Sequence, residues 1–158
     1  MVDEKSLLDD VDLAILRQLQ ADALITNAEL ATKVSLSPSA CLSRTRRLQE
    51  RGVIKQFAAI VDEKKIGFGI TVFAFVTLSK HSRRIAESFL KRMETIAQVM
   101  ECYNITGHAD YLLKIVATDI SAYRDFLTDQ ILEIPEVQHV ETLVVLKTEK
   151  RTFALPVA

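Results

Sequence analysis

The densest chemistry in the 158-residue chain lies between residues 33 and 55. Six cations, Lys33, Arg44, Arg46, Arg47, Arg51 and Lys55, stand there against one acid, Glu50, a local charge of +5 in a chain whose formal net charge is −1. A guanidinium can bond a guanine edge through two hydrogen bonds or pair with a phosphate, and short hydroxyl side chains allow close approach to either. Ser37, Ser39, Ala40 and Ser43 supply short side chains in the same stretch. Such a local patch is the electrostatic footprint of a nucleic-acid site. A solvated surface helix carries similar charges, so charge alone leaves both readings open.

The elements around the patch decide between them. Asp9 predicts a helix N-cap, and Leu8, Val11, Ile15, Leu16 and Leu19 recur at helical spacing. A second helix is expected after Thr26 or Asn27, with Leu30, Ala31 and Val34 as its buried face. Ser35-Leu36-Ser37 reads as a tight turn. Ser37 then caps a third helix with Pro38 at its first position, where a missing N–H costs nothing. Cys41, Thr45 and Leu48 form its inner face; Ser39, Ser43, Arg46, Arg47 and Glu50 lie roughly opposite. Gly52 is placed to end it in a left-handed cap. Two helices joined by a short turn, the second small, polar and basic, describe a DNA-reading helix-turn-helix. The residues expected against duplex DNA are Lys33, Ser37, Ser39, Ala40, Ser43, Arg44, Arg46 and Arg47. Val53-Ile54 and Phe57–Val61 read as extended, as a wing or a linker strand.

Beyond a boundary at Asp62–Gly69 the periodicity changes. Strand Ile70–Leu78, helix Ser82–Met93, strands Gln98–Ile105 and Asp110–Ala117, helix Ile120–Ile131 and strand Val137–Leu146 follow in order. That β-α-β-β-α-β order predicts a ferredoxin-like fold. The helix stripes are Ile85, Phe89, Leu90, Met93 and Ile120, Tyr123, Leu127, Ile131. The fold class is α+β, with a (winged) helix-turn-helix domain over 1–61 and a ferredoxin-like domain over 62–158. The first strand puts Ile70, Val72, Ala74, Val76 and Leu78 on one face and Thr71, Phe73, Phe75 and Thr77 on the other. Two helices cover one face of such a sheet. The other face is then an interface, or is covered by the linker or by tail residues such as Phe153 and Leu155.

Composition excludes several classes. With 49% hydrophobic and 26% charged residues, the chain is an ordinary globular one. Cys41 and Cys102 are too few and too far apart for a disulfide scaffold or a CxxC metal site, and they suit a reducing cytoplasm. Met1-Val2-Asp3-Glu4-Lys5 lacks the regions of a signal peptide. The longest apolar run, Ile70–Leu78, is strand length, so no membrane span is expected. No nucleophile–base pair, HExxH, P-loop or Rossmann glycine pattern argues for an enzyme. His81, His108 and His139 are scattered, and no metal or cofactor site is expected. RNA binding through the sheet would use Phe73 and Phe75, but no lysine or arginine flanks them within the strand.

At this point the chain resembles the Lrp/AsnC, or feast/famine, family of bacterial and archaeal regulators. The resemblance rests on Leu8-Asp9-Asp10-Val11-Asp12, Ile15-Leu16, Asn27-Ala28-Glu29-Leu30-Ala31 and Val34-Ser35-Leu36-Ser37-Pro38-Ser39-Ala40-Cys41-Leu42. It continues through Arg44, Arg46-Arg47-Leu48, Gly52 and Ile54. In the second half Cys102, Thr106-Gly107-His108-Ala109-Asp110-Tyr111-Leu112-Leu113-Lys114, Asp119, Tyr123 and Val137 match. The resemblance implies a dimer built on the ferredoxin-like domain, often assembled into an octamer, and a cytoplasmic, nucleoid-associated regulator. It implies a pseudo-palindromic operator and an amino-acid effector bound between dimers. The loop Thr106, Gly107, His108, Ala109, Asp110 would lie at that site, with Tyr103, Asn104, Ile120 and Thr142, Leu143, Val144 nearby. From chemistry alone the loop is an ordinary hairpin turn; glycine there also lets backbone N–H groups reach a carboxylate, and Asp110 or a carbonyl can meet an ammonium. Gly107→Trp is expected to block the effector response and leave the fold intact. A sensor whose DNA domain is inactive is the remaining alternative, and the intact Arg44, Arg46 and Arg47 speak against it.

Overall fold

The computed structural model describes residues 8–80 and 82–157. His81, one of the three scattered histidines, lies outside the described residues. Two compact units form, Met1–Ile60 with Lys150–Ala158, and Val61–Glu149.

The first unit is the expected three-helix arrangement: α1 (Asp10–Ala21), α2 (Asn27–Lys33) and α3 (Pro38–Glu50). Each start is capped by a side chain. Asp9 accepts from Asp12 N, Thr26 and Glu29 form a reciprocal capping box, and Ser37 accepts from Ala40 N with Pro38 in the first turn. The core is small: Ile15, Leu30, Ala31, Cys41 and Leu48 are buried together, edged by Leu8, Val11, Leu16, Leu19, Val34 and Ile54. The turn between α2 and α3 bends through Ser35 at φ +55°, a left-handed conformation without glycine. Val53–Ile54 and Phe57–Val61 enter no ladder among the described residues. Ile54 anchors the segment on the helical core, while Phe57, Ile60 and Val61 stay exposed with no partner strand beside them.

The tail belongs with this unit, although the sequence reading kept it with the second domain. Leu155 N donates to Gln20 Oε1 at 2.6 Å and Gln20 Nε2 donates back to Leu155 O at 3.1 Å. The amide of Gln20 thus does for the tail what a neighbouring strand would do. Phe153 and Leu155 remain 56% and 74% exposed, so neither side chain is seated as a cover.

The second unit is a four-stranded antiparallel sheet in the order β2-β3-β1-β4, built from β1 (Ile70–Leu78), β2 (Val99–Asn104), β3 (Tyr111–Ala117) and β4 (Val137–Val144). Helices α4 (Arg83–Glu94) and α5 (Ile120–Phe126) cross over between strands, which completes the ferredoxin-like topology. Val72, Ala74, Val76 and Leu78 of β1 are buried with Phe89 and Met93 of α4, Tyr123 and Phe126 of α5, and Leu113 and Ile115 of β3. Gly69 leads into β1 past Thr118, whose carbonyl would lie 2.4 Å from any added Cβ. The last helix departs from expectation after Phe126. Residues Leu127–Leu132 form a π turn; Tyr123 and Ile131 of the expected stripe are buried, Phe126 is buried with them, and Ile120 is 58% exposed.

Candidate DNA-reading helix and effector loop

Helix α3 is held from both sides. Cys41 and Leu48, both fully buried, face Ile15, Leu30 and Ala31. Asn27 Nδ2 donates to Pro38 O at 2.9 Å, tying the start of α2 to the first turn of α3. Burial pushes the Cys41 thiol pKa up, which fits a packing role and not a redox one. Thr45 lies one turn on from Cys41 on this inner face, and its side chain works against the rise in the Cys41 pKa.

The charged residues divide into two sets. Arg44 donates to Asp9 Oδ2 at 2.6 Å and Asp12 Oδ1 at 2.8 Å, and Arg47 reaches both Asp12 oxygens at 3.2 and 3.0 Å. The Asp12 N–H and then the Arg44 guanidinium hold the Asp9 carboxyl below its ordinary value. The same two carboxylates raise the Arg44 pKa. Sequence reasoning saw Asp9 as a cap alone and gave Asp12 no role. The signal available was two acids three residues apart at the start of α1, Asp9 and Asp12, and two arginines three residues apart on α3. Lys33, Ser37, Ser39, Ser43 and Arg46 are exposed, and Ala40 is half-buried. Of these side chains, Ser37 is engaged as the cap, at 3.2 Å from the Ser39 hydroxyl.

The effector residues named from the resemblance fall at two ends of one sheet. Tyr103 and Asn104 end β2, and Thr106–Asp110 form the hairpin into β3. Ile120 follows the far end of β3, roughly 20 Å away for a seven-residue strand. Val144 pairs with Val72 and Leu143 with Phe73, towards that far end. Thr142 and Leu143 also point to opposite faces: the Thr142 hydroxyl meets Tyr123 OH at 2.8 Å under α5, whereas Leu143 is 49% exposed. One protomer therefore does not gather these residues around one ligand.

Within the hairpin several groups are already engaged. Asp110 Oδ2 accepts from Leu78 N at 2.7 Å, Asp110 N donates to Val76 O at 3.0 Å, and Asn104 Nδ2 donates to Asp110 O at 3.1 Å. The Asp110 carboxylate thus secures the end of β1. Gly107 sits at φ +122°, where a side chain is strained whatever the space. That corrects the expectation that Gly107→Trp leaves the fold untouched. His108 lies over the Phe75 ring at 4.9 Å, with Nε2 3.6 Å from Glu141 Oε2. A cavity of about 230 Å³ opens beside the hairpin, lined by residues including Lys80, Ser82, Arg83, Asn104 and Asp110.

The sheet face away from the helices carries Phe73 and Phe75 of β1, Leu112 and Lys114 of β3, Glu101 and Tyr103 of β2, and Glu141 and Leu143 of β4. Lys114 stands directly opposite Phe73, a neighbour that reading along one strand could not reveal. It does not serve RNA phosphate, because its Nζ is 2.7 Å from Glu101 Oε1 and its side chain is 12% exposed. Tyr103 OH donates to the other Glu101 oxygen at 2.6 Å, which raises the tyrosine pKa. Among the described residues no cluster of three His, Cys, Asp or Glu side chains is arranged to hold a metal. Nor is any described helix long and apolar enough to cross a membrane.

A capped helix-turn-helix followed by a four-stranded α+β domain defines a class, the DNA-binding regulators that carry a ligand-binding module. A winged helix-turn-helix DNA-binding model matches residues 8–55, and an Lrp/AsnC ligand binding domain model matches residues 71–155. Transcriptional regulator AzlB of Bacillus subtilis is 49% identical over 151 residues, covering 96% of each chain. The leucine-responsive regulatory protein of Escherichia coli K12 is 36% identical over 159 residues, covering 98% of this chain and 97% of that one. Among solved structures, a Neisseria meningitidis transcriptional regulator in complex with L-methionine superposes with a TM-score of 0.90 at 35% identity, covering 94% of this chain and 96% of the other. Escherichia coli AsnC superposes with a TM-score of 0.85 at 30% identity, covering 94% and 99%. The chain belongs to the Lrp/AsnC family of transcriptional regulators, and it is a DNA-binding regulator of that type.

Proposed function

We propose that the chain binds a pseudo-palindromic duplex operator as a homodimer, that dimers assemble further into an octamer, and that an amino acid bound between dimers shifts assembly or DNA affinity. The observation that carries this is the pairing of a polar, basic α3 on a capped helix-turn-helix with a sheet face that no helix covers, where Phe73, Phe75 and Leu112 are half-buried and Leu143 is exposed. Contiguous apolar surface of that kind is characteristic of an interface. Two reading helices related by a twofold suit half-sites about one helical turn apart, roughly 34 Å. The division of labour falls near residues 61 and 62, with reading in the helical unit before it and sensing in the sheet unit after it, up to Glu149. Binding and assembly, without catalysis, account for the activity, and its place is the cytoplasm, on the nucleoid.

The effector reading draws support from two features. The hairpin set and the set around Ile120 and Thr142–Val144 lie at opposite ends of one sheet, so they form one site only when supplied by different protomers. Beside the hairpin, Lys80 and Arg83, the latter paired with Glu87 at 2.8 Å, bring positive charge that suits a carboxylate. The L-methionine bound to the Neisseria relative makes an L-amino acid the first class to try.

A titration of labelled duplex from upstream of the protein's own gene, with and without a panel of amino acids, tests the reading. Binding that survives nonspecific competitor, weakens as salt rises and shifts with one amino acid is expected. Binding to that duplex and to selected sequences that no amino acid alters would overturn the effector part and leave the DNA part standing.

A further inference from the structure

Three arginines sit on α3, and two of them are paired with carboxylates at the start of α1. Arg44 and Arg47 are held by Asp12, whose side chain is 1% exposed, and Arg44 by Asp9 as well. A guanidinium that swung out of this fork would leave the buried carboxylate with one cation in place of two and would give up its own charge-assisted hydrogen bonds. Arg46 is exposed and has no hydrogen-bond or ion-pair partner among the described residues. At about 100° per residue, Arg46, Ser39 and Ser43 project within about 60° of one another. They lie opposite Cys41 and Leu48, which are fully buried. The outward face of α3 therefore presents two short hydroxyls near its capped end and one unpaired guanidinium a turn or two further on.

We propose that Arg46, flanked by Ser39 and Ser43, reads base edges in the major groove, and that Arg44 and Arg47 serve as a clamp that sets the angle of α3 on α1. Asp12 is then a positioning residue for recognition. A guanidinium offers two parallel donors to guanine O6 and N7, so each half-site carries a G·C pair opposite Arg46. Arg44 and Arg47 contribute charge to the surface but no sequence preference. The assignment rests on the DNA-binding reading of the chain and narrows the residues expected against DNA.

The test is selection from a duplex library with a randomised core of about 24 base pairs, long enough for two half-sites about one turn apart, using the full chain and its variants. The wild type enriches a motif with a preferred G·C pair in each half-site. R46A loses roughly ten-fold discrimination at that pair, while its salt dependence changes by no more than about one phosphate. R47K, which keeps the charge and can still pair with Asp12 but lacks a guanidinium's two parallel donors, retains the motif. An R46A protein that enriches an unrelaxed motif would overturn the assignment, as would R47K relaxing one. A wild-type chain that enriches nothing would overturn the DNA-binding reading itself, an outcome distinct from either. D12N adds a readout that stability alone does not move: freeing Arg47 steepens the salt dependence by about one phosphate. An unchanged slope in folded D12N protein would overturn the positioning role of Asp12.

Discussion

Asp12 is the only buried charged side chain among the described residues, and the consequences of removing it differ from those of removing its partners. In D12A the arginines, 27% and 48% exposed, regain water, so the loss should be modest, about 2 kcal/mol. Replacing Arg44 and Arg47 together by methionine leaves a carboxylate in the core with nothing to neutralise it, and about 3–5 kcal/mol is expected. Urea unfolding of the two variants checks the order; equal losses would mean that Asp12 is hydrated after all. Asp9 extends the argument to pH. Its pKa is lowered in the folded chain, first by the Asp12 N–H and then by Arg44. Its stabilisation is therefore present above the unfolded value and lost as pH falls through the folded one. D9N, which can still cap α1, should show a flatter fall in melting temperature below about pH 4 than the wild type. Of this, only the cap at Asp9 was read along the chain. Positions 12, 44 and 47 meet only because α1 packs on α3, and periodicity describes faces within one helix, not which side chains face each other across two.

At the scale of elements the sequence was far more informative. Caps at Asp9 and Ser37, the helix starts read near Thr26 and Ser82, and the β-α-β-β-α-β order follow from local chemistry that the structure reproduces. Local chemistry failed where a partner was needed or a period changed. The 53–61 segment has strand-like residues but no second strand among the described residues, and the last helix changes from α to π at Leu127–Leu132, a change of period that the stripe did not signal. The effector residues gathered by resemblance looked contiguous in function, yet strand direction sets them at opposite ends of the sheet. The α2–α3 turn gives the sharpest test at this scale. Ser35 is exposed and holds φ +55°, which costs a residue with a Cβ about 1 kcal/mol. Glycine removes that strain but loses more entropy on folding. S35G should therefore stabilise the helix-turn-helix by about 0.5 kcal/mol net. A lower melting temperature in S35G would show that the serine side chain supports the turn.

For the whole molecule the decisive surface is the sheet face that no helix covers. Leu112 lies at its centre, opposite Phe75 on one side and Tyr103 on the other, and it is half-buried in the single chain. L112E places a charge on this face without touching the core beneath, which is built from Leu113, Ile115 and the residues of β1 on the other side. If two copies meet here, the glutamate must be desolvated twice per dimer, a cost of several kcal/mol that area burial over a modest patch cannot offset. The variant should then run at the 17.8 kDa mass of one chain in light scattering, with unchanged helical content. Its affinity for a two-half-site duplex should fall by about a hundred-fold or more, because linked half-sites gain their avidity from the dimer alone. Affinity for an isolated half-site should not change, since Arg46, Ser39 and Ser43 are untouched. An L112E protein that stays dimeric would move the interface off this face. One that is monomeric yet binds the full operator normally would separate assembly from recognition.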